Sequence, residues 1–108
     1  MRKEVTAGEW IANSHLLLVG DDRTERAVTV RIGRPYDTGE GDWACPVETQ
    51  GLHGRGPDIH GVDSLQSLCL ASSLVRGLLE DFVAKGGKLL HPGDRTEVAL
   101  SSIFGGNE

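Results

Sequence analysis

The sequence has no long hydrophobic run, and this absence limits where the chain can act. The run Leu-Leu-Leu-Val at residues 16–19 is far too short to cross a bilayer. The start, Met-Arg-Lys-Glu at residues 1–4, is followed by no continuous apolar core, so we expect no secretory signal peptide. We therefore predict a cytoplasmic protein with no membrane partner.

Cysteine and positive charge are also scarce. The two cysteines, Cys45 and Cys69, are not spaced as metal ligands are, and they fall on a predicted strand and a predicted helix. We expect reduced, semi-buried thiols, with Cys69 the more clearly a core residue, although the sequence leaves a disulfide open. A net charge of −5 argues against nucleic acid as the main partner.

What remains is an ordinary globular composition, with 38% hydrophobic and 25% charged residues. A chain of 108 residues is long enough for one modest core. Because no repeat or linker divides it, we predict a single domain over residues 1–108. The polar ends, 1–9 and 105–108, are expected to be flexible.

Residues 63–87 are the one long helix that the sequence plainly predicts. Asp63 is a favourable N-cap, and Gln66 stands three residues later, as in a capping box. Lys85 lies in the last turn, and Gly86-Gly87 can supply the left-handed residue that ends a helix. Apolar residues recur at three- and four-residue steps, as a buried helix face requires. They are Leu68, Ala71, Val75, Leu78, Leu79 and Phe82, with Leu65, Leu74 and Val83 widening the stripe.

One edge of this helix departs from the pattern. Leu70 interrupts the polar side, and Gly77 follows two turns later. Because an interior glycine costs about 1 kcal/mol relative to alanine, we expect something to lie close against the helix there. Two interpretations stay open: other segments of the chain bury both flanks, or the edge at Leu70 and Gly77 meets another chain.

Alternating apolar residues predict antiparallel strands before the helix. The clearest are at 15–19 and at 27–32, where apolar and polar residues alternate as in a strand buried on one face. A third strand at 43–47 contains Pro46, which cannot donate to a ladder and indicates an edge or a bulge. Its expected inward residues are Trp43, Cys45 and Val47.

The remaining elements are shorter. Residues 59–62 and 88–90 fit short strands on either side of the helix, whereas 97–104 fit a strand or a short helix equally well. Long loops are expected at 33–42 and 51–58. We predict an α+β fold in which an antiparallel β-meander of three to five strands packs against one long α-helix.

The residue types that carry chemistry are present without the spacing that chemistry needs. His53, Asp58 and His60, with Cys45 before them, are of the types that bind zinc. The spacing His-x6-His matches no compact metal motif, so we predict no metal and no cofactor. A nucleophilic pair of Cys45 with His53 or His60 is disfavoured because apolar residues flank the thiol. The glycine-rich loops contain no phosphate-binding motif.

Acidic residues cluster in the loop that follows Tyr36. Repulsion among the carboxylates of Asp37, Glu40 and Asp42 favours either exposure to solvent, which is the simpler interpretation, or a basic partner. Arg55 in the second loop and the helix edge complete the set of candidate partner-binding residues. That set is Tyr36, Asp37, Glu40, Asp42, Arg55, Leu70 and Gly77.

Three short segments together carry a family resemblance. They read Val-Arg-Ile-Gly-Arg-Pro at 30–35, Asp-Trp-Ala-Cys-Pro at 42–46 and Gly-Val-Asp-Ser-Leu-Gln-Ser-Leu at 61–68. Their order and spacing over about residues 15–85 resemble DUF6968, a group of small bacterial domains of unknown function. The family pattern tends to have alanine where this chain has Ser67. The resemblance implies a compact bacterial cytosolic domain and supplies no catalytic residue.

Three functions stay open at this stage. The first, which we favour, is a non-enzymatic protein-interaction module, and by analogy small acidic domains of this kind can be immunity- or antitoxin-like. The second is a small-ligand- or metal-binding enzyme that uses His53, Asp58 and His60. The third is a homodimer with a structural or regulatory role.

Overall fold

The computed structural model describes residues 9–105. The predicted flexible ends therefore lie outside the described residues, except for Glu9 and Gly105. The helices are α1 (Ser64–Ala84) and α2 (Leu100–Phe104). The strands of the described range are β1 (Trp10–Val19), β2 (Glu25–Gly33), β3 (Tyr36–Asp37), β4 (Trp43–Cys45), β5 (Val47–Gln50), β6 (Gly54–Arg55), β7 (Ile59–Gly61) and β8 (Lys88–Leu90).

The strands form two antiparallel sheets. The larger sheet has the order β6-β5-β2-β1-β8, and the smaller has the order β3-β4-β7. Strands β1 and β2 form a long hairpin, which begins near Trp10 because alternation in β2 gives β1 a partner along its whole length. The predicted α+β class, with antiparallel strands and one long helix, is confirmed. The expected loops at 33–42 and 51–58 contain the short strands β3 and β6.

Pro46 divides the predicted third strand in two. Residues before it pair within the small sheet, with Cys45 opposite Ile59, and residues after it pair within the large sheet, with Val47 opposite Ile32. Without an N–H, Pro46 cannot continue either ladder, and its carbonyl accepts from the Gly33 amide at 2.9 Å. The single strand expected at 43–47 is therefore corrected to two strands that belong to different sheets.

The buried face of α1 is narrower than the sequence pattern predicts. Its buried residues are Ser67, Ala71, Val75 and Leu79, one stripe at four-residue steps. Both flanks stay exposed: Leu65 and Val83 lie on one side, and Leu70 and Leu74 lie on the other. Of the two interpretations left open by the sequence, burial of both flanks by other segments is not met within residues 9–105.

Cys69 also departs from its prediction, because it is exposed on α1 rather than part of the core. It lies two residues, or 200°, from both Ser67 and Ala71, which are buried, so its side chain points to solvent. Cys45 is buried, and both cysteines are free thiols. The disulfide that the sequence left open is absent between them.

Both ends of α1 follow the predicted chemistry. Asp63 is the N-cap, and its carboxylate accepts from the Gln66 amide at 2.8 Å. The Gln66 side chain reaches back one residue further than in a capping box, to the Val62 amide at 2.7 Å. At the other end Gly86 has a φ of +96° and donates to Val83, while Gly87 donates to Phe82, which is a Schellman closure.

The C-terminal segment resolves the choice between strand and helix by using both. Glu97 forms a single bridge to Leu90, and the Val98 amide donates to the Leu89 carbonyl at 2.8 Å. The chain then turns into α2, which packs on α1 with Ile103 and Phe104 against the edge of the core.

Candidate functional site

A hydrogen-bonded cluster lies where the two sheets meet, and Asp58 is at its centre. The Tyr36 hydroxyl of β3 donates to Asp58 Oδ2 at 2.5 Å, and Arg55 Nη1 of β6 donates to Asp58 Oδ1 at 2.8 Å. The Arg55 guanidinium also lies over the Trp10 ring, 5.4 Å from its centroid. One carboxylate thus ties the small sheet to the edge of the large one.

A second pair continues this surface on the small sheet. His60 Nδ1 of β7 lies 2.7 Å from Asp42 Oδ2, and the Thr38 hydroxyl donates to the other carboxylate oxygen of Asp42. The hydrogen bond from Thr38, followed by that from His60, holds the pKa of Asp42 below its ordinary value. Asp42 therefore stays ionised to lower pH than a free aspartate.

The acidic loop is the tight tip of the β3–β4 hairpin. Asp37 lies opposite Trp43 at its base, and the Asp37 carboxylate accepts from the Gly39 amide at 2.8 Å. Gly39 and Gly41 have φ values of +83° and +94°, which favour glycine. Glu40 is exposed at the tip, and its amide donates to the Thr38 hydroxyl. The carboxylates are thus displayed on a hydrogen-bonded turn.

Cys45 lies beneath this surface as a core thiol. Its side chain is fully buried, and its Sγ lies within hydrogen-bond distance of the Gly33 and Pro46 carbonyl oxygens. Burial, with a smaller effect of the Asp58 carboxylate, raises the pKa of the Cys45 thiol from 9.0 to about 11. A neutral, buried thiol bonded to backbone oxygens is a poor nucleophile.

His53 is not bonded to Asp58 or His60, the residues considered with it as a metal or enzyme site. It is exposed and borders a small cavity of about 70 Å³, together with Gly54, Leu74 and Leu78. Asp58 is bonded to Tyr36 and Arg55, whereas His60 is bonded to Asp42. Among residues 9–105, no group of three or more His, Cys, Asp or Glu side chains is placed to hold a metal ion.

The helix edge behaves differently from the cluster. Leu70 is 44% exposed and Leu74, one turn later, is 42% exposed. A Cβ added to Gly77 would meet no described atom within 4 Å, so the expected close approach to this glycine is not present within residues 9–105. Leu70, Leu74 and Gly77 form an open flank of α1, which we call the helix flank.

The candidate partner-binding residues therefore fall into three groups. The first group belongs to the hydrogen-bonded cluster and the pair beside it, and consists of Tyr36, Asp42 and Arg55. The second group, Asp37 and Glu40, lies on the hairpin tip. The third group, Leu70 and Gly77, lies on the helix flank. Sequence reasoning missed the roles of Trp10 and Thr38, and it considered Asp58 and His60 as metal ligands or enzyme residues but not as partner-binding residues. The one signal for Asp58 is its i, i+3 spacing from Arg55, which is too common to be specific.

A separate apolar cavity of about 240 Å³ lies between the large sheet, α1 and α2. It is smaller than most pockets that hold drug-sized ligands. Its walls include Ala12, Ser14, Ile32, Ser72, Ile103 and Phe104.

Comparison with known proteins identifies a family without assigning a function. Within residues 9–105, no helix is both long and apolar enough to cross a membrane. Neither the curated proteins nor the solved structures gave a match to this chain. The model of a domain of unknown function, DUF6968, matches residues 13–100. The match covers both sheets and α1, which contain the three segments of the resemblance, and the chain belongs to the DUF6968 family.

Proposed function

We propose that this chain is a non-enzymatic binding module for another protein. Its contact surface would be the polar face made by Tyr36, Asp42, Arg55, Asp58 and His60 together with the hairpin tip at residues 37–41. The observation that carries the proposal is the double anchoring of Asp58, by Tyr36 at 2.5 Å and by Arg55 at 2.8 Å. Side chains held in place before binding lose little conformational entropy when a partner arrives.

The charge of this surface favours a basic partner. Asp37 and Glu40 are exposed on the hairpin tip, and Asp42 is held in its ionised form. The neighbouring basic side chains, Arg55 and His60, are engaged with Asp58 and Asp42. Exposed carboxylates at the rim of an interface mainly increase the association rate and weaken as salt is added.

The geometry supports binding over catalysis. An activated nucleophile needs a base within hydrogen-bond reach, which a third group orients. In the His60–Asp42 pair, the Thr38 hydroxyl donates to the Asp42 carboxylate. It is therefore not bonded to His60 as a nucleophile would be to its base. The Cys45 thiol lies against backbone carbonyl oxygens. The three residues of the alternative enzyme site have different neighbours. Asp58 is bonded to Tyr36 and Arg55, His60 is bonded to Asp42, and His53 borders the small cavity of about 70 Å³.

The test is site-specific photo-crosslinking from Glu40 in cells that express the protein. A photoreactive amino acid at position 40 is expected to capture a discrete basic protein, and the same group at Glu97 is expected to capture none. Glu97 is the control because it is also an exposed glutamate, but it lies on the single bridge to Leu90 and not on the hairpin tip. Equal capture at both positions, or none at position 40, would contradict the proposal.

Charge reversal supplies the second arm. The double variant Asp37→Lys, Glu40→Lys should abolish capture of that protein. The control Asp21→Lys, Glu97→Lys makes the same change in net charge elsewhere and should preserve it. Retention of capture in the hairpin-tip variant would exclude this surface. Three further predictions remain: an immunity- or antitoxin-like role, bacterial origin and a cytoplasmic location. The identity of the captured protein would test them.

A further inference from the structure

One edge of the large sheet is open over a long stretch. Strand β1 pairs with β2 along its length, but on its other side β8 covers only residues 17–19. Leu17 lies opposite Leu90, and the chain leaves the sheet after that residue. On the side away from β2, no strand of residues 9–105 lies beside β1 from Trp10 to Leu16.

The hydrogen bonds around β8 reveal which groups point out of this edge. Val98 donates to the Leu89 carbonyl, so the backbone of Leu89 faces away from β1 and that of Leu90 faces towards it. Its partner Leu17 must therefore point its N–H and C=O away from β2. Backbone direction alternates along a strand, so Asn13 and His15 point out of the same edge, where no strand receives them.

This edge also lacks the features that usually protect one. Natural edge strands carry lysine or proline, or are very short. Residues 10–16 read Trp-Ile-Ala-Asn-Ser-His-Leu, with no proline, lysine, arginine, aspartate or glutamate. The opposite edge of the sheet, β6, has two residues and is followed by Gly56 and Pro57. A bulge between Trp10 and Ala12 is the one protective irregularity of the open edge.

We propose that the open edge of β1 pairs with the same edge of a second copy of this chain. The two strands would run antiparallel about a two-fold axis at Asn13, which joins the two large sheets into one. The proposal goes beyond the binding function above, because it uses neither the polar face nor the hairpin tip.

The length of the free edge sets the register. The uncovered residues are 10–16, and their midpoint is Asn13. A two-fold axis there places Asn13 opposite Asn13 of the second copy as a hydrogen-bonded pair, because its N–H and C=O point out of the edge. His15 then lies opposite Ile11, the extra residue of the bulge. An axis moved towards Leu16 would drive the start of the second strand into β8.

Charge argues for a second copy as the occupant. The chain carries a net charge of −5, so its copies repel one another at most surfaces. Residues 10–16 contain no formally charged side chain at neutral pH with histidine neutral, so self-pairing here places no like charges opposite one another. A two-fold pairing also closes the assembly, since each copy uses its open edge once.

Opposed charges at Asn13 test both the contact and its register. Sedimentation velocity of the full chain from micromolar to millimolar should show a reversible dimer. Asn13→Lys alone and Asn13→Asp alone should each weaken it about tenfold, because like charges then meet at the axis. An equimolar mixture of the two variants should restore dimerisation as a heterodimer. Asn13 is exposed, so both variants should unfold within a few degrees of the parent chain.

A cysteine at the same position gives an independent measurement. In a Cys69→Ser background, Asn13→Cys should form a cross-chain disulfide under mild oxidation, because hydrogen-bonded antiparallel pairs have Cα atoms about 5.5 Å apart. The matched variant His15→Cys faces Ile11 of the second copy and should form far less.

Three results would overturn the proposal. One is a chain that sediments as a monomer at every concentration. Another is a dimer that Asn13→Lys and Asn13→Asp leave unchanged, and the third is equal disulfide yield from positions 13 and 15. None of these results bears on capture from Glu40, so this inference and the proposed function can fail separately.

Discussion

At the scale of single residues, Asp58 links parts of the chain that are distant in sequence. Its carboxylate accepts from Tyr36, 22 residues earlier, and pairs with Arg55 of the large sheet. The Arg55 side chain is 40% exposed, so solvent screens the pair and its contribution to stability is modest. The effect of Asp58 is chiefly to fix the geometry of the polar face.

The coupling between Tyr36 and Asp58 is a first prediction. Tyr36→Phe should lower the free energy of unfolding by about 1 kcal/mol, and Asp58→Asn by roughly 1 to 2 kcal/mol. Because Tyr36→Phe removes the hydrogen bond that Asp58→Asn weakens by removing the charge of its acceptor, the double variant should lose less than the sum of the two. Urea unfolding of the four proteins measures this coupling, and strictly additive losses would contradict it.

Cys45 supplies a prediction about pH. Folding raises the pKa of its thiol from 9.0 to about 11, so the folded state favours the neutral form. The stabilisation is complete below pH 9.0 and is lost as pH rises towards 11, by about 2 kcal/mol at that point. Cys45→Ala, which has no thiol to titrate, should show a correspondingly smaller loss over the same interval.

The free energy of unfolding of the parent chain and of Cys45→Ala, measured at pH 9.0 and at pH 11, gives this difference. An equal loss of stability in both proteins would contradict the prediction. Thiol labelling gives an independent check. The exposed Cys69 should react rapidly in the folded chain, whereas the buried Cys45 should react only on unfolding. Rapid labelling of both thiols in the folded chain would contradict the burial of Cys45.

At the scale of elements, α1 combines reliable ends with a narrow buried face. Its caps depend on hydrogen bonds between neighbours in sequence, and they form as local chemistry predicts. Its flanks depend on what the rest of the chain places beside them, and the described chain leaves Leu70 and Leu74 largely uncovered. The apolar pattern of α1 alone therefore does not predict that the helix flank is exposed.

Gly77 gives a direct prediction for this element. Gly77→Ala should raise the free energy of unfolding by roughly 0.5 to 1 kcal/mol, because the site is helical and the new methyl group meets open space. Gly86→Ala is the control and should lower it by about 1 kcal/mol or more, because Gly86 has a φ of +96° and its Cβ would approach Asp21. Thermal unfolding distinguishes the two, and destabilisation by Gly77→Ala would indicate a close neighbour.

At the scale of the whole molecule, one hydrophobic cluster spans both sheets and α1. It includes Leu18 and Val28 of the large sheet, Cys45 of the small sheet and Val75 of the helix. Since these side chains pack together, neither sheet can lose its packing without exposing the other. A shared core is the physical basis for the predicted single domain.

Cooperative unfolding tests that domain organisation. Trp10 reports on the large sheet and Trp43 on the small one, so Trp43→Phe and Trp10→Phe isolate the two signals. Fluorescence of the two variants should each follow that variant's own circular dichroism in a single transition. A tryptophan signal that changes at a different denaturant concentration from the circular dichroism would indicate separately unfolding units.

Much of the fold could be predicted because its signals are local. Asp63 with Gln66, the pair Gly86-Gly87 and the alternation at 27–32 each act within a few residues. The candidate site could not be predicted in the same way, because Tyr36, Arg55 and Asp58 meet only when the two sheets are assembled. Their pairing needs strand register across the chain, which residue types at those positions do not encode individually.

The sequence by itself determined the helix, its caps and the main strands of the large sheet. Each follows from backbone geometry and hydrogen-bonding capacity at a single position or over one turn. Tertiary structure alone decided that Cys69 faces solvent, that Pro46 sends its two flanks into different sheets, and that β8 covers only residues 17–19 of β1. These outcomes depend on which surfaces come to lie together, and from the last of them comes the open edge of β1.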